Sequence, residues 1–241
     1  PDGFNINEGF GATAPAALQS AVLEQGADLG IALDGDGDRL IMVDHQGEIV
    51  NGDKLILIMA LARARRGELQ GGVVGTVMSN LGMEQAFRVN NIEFVRAAVG
   101  DRYVLEMMKK NGWQLGGEAS GHIICLDKST TGDGIVAALE VLQVMHDSGK
   151  SLTELASEMD TCPQMMINVE IARGFDIATN TRITEAVAGV EAELAGRGRV
   201  VLRPSGTEPL IRVMIEGVDA AEVKNQCELL ADIVREAAAV N

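Results

Sequence analysis

Between Gly72 and His146 the sequence passes repeatedly from a short apolar run to a helical pattern, and this alternation narrows the fold most. The runs "VVGTVM" (73–78), "IEFVRAAV" (92–99) and "HIICL" (122–126) have the length and β-branched content of strands. Between and after them, "LGMEQAFRV" (81–89), "DRYVLEMMKK" (101–110) and "DGIVAALEVLQVMH" (133–146) carry helical spacing, and "WQLGG" (113–117) leads into a loop. Alternation of this kind predicts an α/β domain: a largely parallel sheet with helices on both faces. Aromatic residues are only 3% of the chain, so its core must be built from Val, Ile, Leu, Ala and Met.

The flanks extend this picture. "DLGIAL" (28–33) and "RLIMVD" (39–44) read as two strands, the second turning at "HQGE" (45–48). Asp53 is placed to cap a helix through "KLILIMALARARR", whose last turn sets Arg63, Arg65 and Arg66 against the negative end of the helix dipole. A domain boundary is expected near "MDTCPQ" (159–164). Beyond it a strand (165–171) precedes a helix carrying Ile183, Val187, Val190 and Leu194. Two strands follow, "RVVLR" (199–203) and "LIRVMIEG" (210–217). The last helix opens on the capping-box pattern Asp219-x-x-Glu222 and aligns Val223, Cys227, Leu230 and Val234 on one stripe. That order predicts a small C-terminal α+β domain.

Charge and cysteine usage limit the partners. A formal charge of −15 argues against a nucleic-acid or anionic-membrane surface, although a few clustered basic residues can still hold an anion. Cys125, Cys162 and Cys227 lie far apart without CxxC spacing and read as reduced thiols of a cytoplasmic protein. No transmembrane run or leader is read. The start at Pro1, in mid-pattern, suggests part of a longer polypeptide.

Three loops could carry chemistry. "LDGDGDR" sets Asp34, Asp36 and Asp38 within five residues, followed by Arg39. A calcium EF-hand would need Gly at the sixth position and Glu at the twelfth, where Arg39 and His45 stand. Three carboxylates at the end of a strand suit Mg²⁺, which keeps positions open for water or a phosphate oxygen; an acidic surface turn is the plainer alternative. "GGEASGH" (116–122) offers Glu118 and Ser120 on one strand face for sugar hydroxyls, or is simply a tight turn with an exposed Glu. "RPSGTEPLIR" (203–212) joins two strands bearing Arg203 and Arg212 through Ser205, Gly206 and Thr207, a set suited to a phosphate; the alternative is a decorated hairpin. Asp101 and Arg102 form a further polar loop, unless Asp101 is a helix cap. His45 and His146 read as solvated and His122 as structural; no Ser–His–Asp or zinc signature is present.

"LDGDGDR", "GGEASGH" and "RPSGTEPLIRVM", in this order, resemble the α-D-phosphohexomutase superfamily. "PDGFNIN" (1–7), "VGDRYVLEMM" (99–108) and "TTGDGI" (130–135) resemble its amino-sugar branch, the phosphoglucosamine mutases. The resemblance implies a four-domain, Mg²⁺-dependent cytoplasmic isomerase interconverting glucosamine 6-phosphate and glucosamine 1-phosphate through a phosphoserine and a bisphosphate, in the supply of peptidoglycan precursors. It implies that Asp34, Asp36 and Asp38 hold the metal, with Arg39 beside them as charge partner. Glu118, Ser120, Asp101 and Arg102 would contact the sugar, and Arg203, Ser205, Gly206, Thr207 and Arg212 the phosphate that is not reacting. By the same resemblance, residues 1–50 would end domain II, residues 51–160 form domain III and residues 161–241 form domain IV. The S-x-N-P loop that carries the family's phosphoserine does not occur in these 241 residues; Ser79-Asn80 is followed by Leu81. The implied partners are therefore a sugar phosphate and the N-terminal domains of the same enzyme, and the chain alone would be inactive. A phosphomannomutase or phosphoglucomutase shares all three loops, and a non-catalytic sugar-phosphate-binding fragment is the alternative outside the enzymes.

Overall fold

The computed structural model describes residues 2–171, 175–205 and 208–239. The chain divides into two compact units, residues 1–160 and 161–241.

In the first unit, α1 (Ala16–Gln25) precedes a meander of β1 (Leu29–Leu33), β2 (Leu40–Asp44) and β3 (Ile49–Val50), in the order β1-β2-β3. Strands β1 and β2 are antiparallel, with Leu33 opposite Leu40, so the aspartate loop is the turn of a hairpin. Then follow α2 (Gly52–Arg65), β4 (Val73–Thr76), α3 (Leu81–Val89), β5 (Phe94–Ala97), α4 (Asp101–Asn111), β6 (Leu115–Gly117), β7 (Ile123–Cys125), α5 (Gly134–Ser148) and α6 (Leu152–Ala156).

The second sheet runs β5-β4-β6-β7, with β5, β4 and β6 parallel and β7 reversed. The reversal has a simple cause. Five residues, 118–122, connect β6 to β7, too few for the crossover that a parallel neighbour requires. Side-chain alternation covers both faces: Val73, Leu115, Ile123 and Cys125 join the core around α2 and α5, while Val74 and Ile124 join Val104 and Met108 of α4. Helix α2 is apolar on nearly every side, and it sits at the centre of its unit with almost every residue buried.

Local details differ from the sequence reading. Asn51, not Asp53, caps α2, accepting from Lys54 N at 3.2 Å. Asp53 is buried in the first turn and accepts from Asn80 N at 2.7 Å. The arginines closing α2 act in ion pairs: Arg63 reaches Asp127 and Glu140, each at 3.0 Å, while Arg65 meets Glu158 and Arg66 meets Glu68. Helices α1 and α6 and strand β3 were not foreseen.

The second unit contains β8 (Gln164–Glu170), α7 (Thr181–Leu194), β9 (Gly198–Pro204), β10 (Leu210–Gly217) and α8 (Ala220–Ala239). Its sheet is antiparallel in the order β8-β10-β9, with β10 in the centre. Ile211, Val213 and Ile215 pack on Ile183, Val190 and Leu194 of α7 and on Val223, Cys227, Leu230 and Val234 of α8. Both helical stripes read from the sequence therefore face this core. Only half of the capping box forms: Asp219 accepts from Ala221 N and Glu222 N, whereas the Glu222 carboxylate is held by Arg197 at 2.8 and 2.9 Å.

Candidate functional site

The β1–β2 hairpin brings oxygens of Asp34, Asp36 and Asp38 within 4.8 Å of one another. Gly37, at φ +75°, permits the turn, and its N–H donates to the Asp34 carbonyl at 3.2 Å. The first aspartate is held in place by Arg39 N, which donates to its Oδ1 at 3.0 Å. The Arg39 guanidinium then lies 3.6 Å from Asp34 and 4.0 Å from Asp38. Burial raises the Asp38 pKa, and the hydrogen bond and charge of Asp34 raise it further. His122 opposes that shift. Carboxylates this close disfavour joint ionisation, and a cation relieves them. Their hard, acceptor-only oxygens fit Mg²⁺.

The sugar-loop candidate is joined to this hairpin. Leu40 N donates to the Gly121 carbonyl at 2.9 Å, and Arg39 forms an isolated antiparallel bridge with His122. The buried His122 imidazole lies 3.5 Å from Asp38 Oδ2. Gly132 leaves room for it: a Cβ there would stand 2.4 Å from His122 Nε2. From the other side, Gly52 N donates to the Ala119 carbonyl at 3.1 Å. Glu118 Oε1 accepts from Gly100 N at 2.9 Å, which ties in the loop before α4.

Glu118 and Ser120 do not share a strand face, because β6 ends at Gly117 and residues 118–121 form a turn. Glu118 is half-buried and Ser120 exposed. Asp101 is the first residue of α4 and makes no capping bond; Gly100, at φ +128°, occupies the cap. Arg102 projects to solvent and pairs with Glu106 at 2.9 Å. Thus the metal-loop, sugar-loop and Gly100 candidates form one connected cluster. Gly52 and Gly132 were missed as its supports; His122 was read as structural, but its place beside Asp38 was not foreseen. The sequence signal was present for His122, within a motif already singled out, but its partner Asp38 lies eighty-odd positions upstream.

The phosphate candidate lies in the second unit. Arg203 of β9 stands directly opposite Arg212 of β10 in the strand register. Both point away from the helical core, since their neighbours Leu202, Ile211 and Val213 face it. Two positions along the same face and four along the strand, the pattern changes: Arg199 stands opposite Glu216 and pairs with it at 2.6 Å. Arg203 and Arg212 have no carboxylate partner among the described residues, and the buried Nε atom of each lacks a hydrogen bond. Burial lowers the Arg203 pKa, and the charge of Arg212 lowers it further. Ser205 Oγ accepts from Glu208 N at 3.4 Å. Gly206 and Thr207 lie outside the described residues. Two facing cations left uncompensated suit an external anion.

Comparison with known proteins finds similarity in both units. Residues 51–162 match the family model of phosphoglucomutase/phosphomannomutase alpha/beta/alpha domain III, and residues 166–233 match that of the C-terminal domain. A phosphoglucosamine mutase of Methylococcus capsulatus is 59% identical over 237 residues, covering 98% of this chain and 53% of the relative. One from Alkalilimnicola ehrlichii is 57% identical over 237 residues, covering 98% and 52%. The chain thus spans about half the length of the curated relatives it matches. Among solved structures, Aspergillus fumigatus N-acetylphosphoglucosamine mutase, in complex with GlcNAc-6P and magnesium, has the same fold over 95% of this chain and 53% of its own. The TM-score is 0.77 at 20% identity. A phosphoglucomutase/phosphomannomutase family protein of Burkholderia thailandensis gives a TM-score of 0.72 at 17% identity, over 94% and 50%.

Proposed function

Because the chain belongs to the phosphoglucomutase/phosphomannomutase family, we propose that it is the metal-, sugar- and phosphate-holding half of a phosphoglucosamine mutase. In this reading residues 1–50 end domain II, residues 51–160 are domain III and residues 161–241 are domain IV. The observation that carries it is the connected cluster of metal loop, sugar loop and Gly100 loop, with a separate uncompensated arginine pair on the second unit. The identity of 54–59% to relatives named phosphoglucosamine mutase favours the amino sugar over a hexose. No helix among the described residues is long and apolar enough to cross a membrane.

Asp34, Asp36 and Asp38 would hold Mg²⁺, which when bound neutralises charge on a transferring phosphoryl group. The chain's own residues position the reactants. Glu118, with Oε1 committed to Gly100 N, keeps Oε2 for a sugar hydroxyl, and Ser120, exposed in the same turn, would offer its hydroxyl. Asp101 and Arg102 border this loop. Arg203, Ser205, Gly206, Thr207 and Arg212 would fix the phosphate that is not reacting. The phosphoserine would come from the upstream half of the enzyme. It gives its phosphoryl group to a sugar hydroxyl, the bisphosphate turns over, and the other group returns to the serine. Residues 1–241 alone therefore show no turnover.

Calorimetry tests the metal assignment on this chain. Mg²⁺ should bind, and Asp36→Asn should weaken it by at least about tenfold, the low end for one unit charge at short range. A carboxyl must lose its proton to ligate, so affinity should fall as pH drops through the raised Asp38 pKa, earlier than for an ordinary aspartate. Equal affinity in wild type and Asp36→Asn would contradict the site.

A further inference from the structure

The row that contains Arg203 and Arg212 does not end at those two strands. Arg212 lies on the central strand, and its register partner on the other side is Asn168 of β8. The alternation of β8 places Asn168 on the same face: Met165, Ile167 and Val169 turn to the helical core, and Asn168 turns away with Arg212. Residues directly opposite in an antiparallel pair hold their Cβ atoms about 4.5–5.5 Å apart, within reach of one small ligand. Asn168 is exposed, and its side-chain amide makes no hydrogen bond to a described residue.

We propose that Asn168 is a third anion-binding group of the Arg203–Arg212 row, donating its amide N–H to the phosphate that the two arginines hold. This rests on the phosphate reading above and adds a residue outside the loop on which that reading was built. The type of residue matters. A carboxylate at this position would face Arg212 as Glu216 faces Arg199, and the row would neutralise itself. A neutral amide supplies donors and leaves both positive charges for the ligand. The row Asn168–Arg212–Arg203 is thus a cationic strip of three donors. Four residues along the same strands, Gln164–Glu216–Arg199 forms a closed ion-pair row.

The test is a ¹⁵N NMR titration of the full 241-residue chain with inorganic phosphate in EDTA, on wild type, Asn168→Ala, Asn168→Asp, Arg212→Ala and Gln164→Ala. Wild type should show saturable shifts at residues 168, 203 and 212. Asn168→Ala should weaken binding about 2- to 10-fold, the range for one net hydrogen bond. Asn168→Asp should weaken it more than about tenfold by pairing with Arg212, and Gln164→Ala should match wild type. If wild type binds and Arg212→Ala does not, but both Asn168 variants bind like wild type, Asn168 is excluded while the phosphate reading stands. If Gln164→Ala loses as much as Asn168→Ala, the effect belongs to the strand and the assignment falls. Absence of saturable shifts in wild type overturns both readings.

Discussion

Arg212→Ala should abolish most phosphate binding while leaving the second unit as stable as before, or more stable. The two halves of that result have one cause. Arg203 and Arg212 face each other across β9 and β10 with no carboxylate partner among the described residues, an arrangement that disfavours the fold when no anion is present. The lowered Arg203 pKa, from burial and from Arg212, has the same sign: the charged form is less favourable folded than unfolded. Removing Arg212 relieves that repulsion. It also removes a charge-assisted donor worth about 1.5–3 kcal/mol to a bound phosphate, a loss of roughly 10- to 150-fold in affinity. Thermal melts with and without phosphate check both parts. Phosphate should raise the midpoint of wild type and not of Arg212→Ala. A variant with a lower midpoint and undiminished phosphate binding would mean that the arginine serves packing alone.

The second large effect is expected at Gly52, the first residue of α2. Alanine at an ordinary helix position gains up to about 1 kcal/mol over glycine. Here the sign should reverse. A Cβ at Gly52 would lie 2.0 Å from the Glu118 carbonyl oxygen and 2.8 Å from Gly121 N, and both are backbone atoms that cannot rotate away. Overpacking of this kind costs about 1–3 kcal/mol. It should fall on the sugar loop, breaking the Gly52–Ala119 bond and shifting Glu118 from Gly100. Denaturant unfolding should show a lower midpoint for Gly52→Ala, and amide shifts should move at residues 118–122 and 100. Unchanged shifts with equal or greater stability would show that the helix and the loop are not in contact.

These two cases mark where the sequence was legible. The stripes of α7 and α8, the all-round apolar α2 and the strand–helix alternation were readable because each is a local pattern with a fixed period. The D-G-D-G-D loop was readable for the same reason, its carboxylates being neighbours in the chain. What escaped depends on contacts between distant segments. Gly52 gives no sign that it must meet Glu118, and Gly132 none that it must meet His122. Asn51 and Asp53 are both acceptable caps by composition, and the choice was made by Asp53 reaching Asn80. Glu118 and Ser120 were placed on a strand face because the strand end at Gly117 depends on the return of β7. For α6 a signal existed and was passed over: Ser151-x-x-Glu154 forms a complete capping box.

The central claim is that this chain supplies the metal, sugar and phosphate sites of an amino-sugar phosphomutase. It is tested most directly by joining residues 1–241 to the upstream part of the Methylococcus capsulatus relative, to which this chain is 59% identical over the matched 237 residues. The account predicts that the chimera, folded as judged by one cooperative melt, interconverts glucosamine 6-phosphate and glucosamine 1-phosphate when Mg²⁺ is present. Asp36→Asn in this half should remove that turnover. A folded chimera that is inert, while the intact relative is active in the same assay, would contradict the account, as would turnover indifferent to Asp36→Asn.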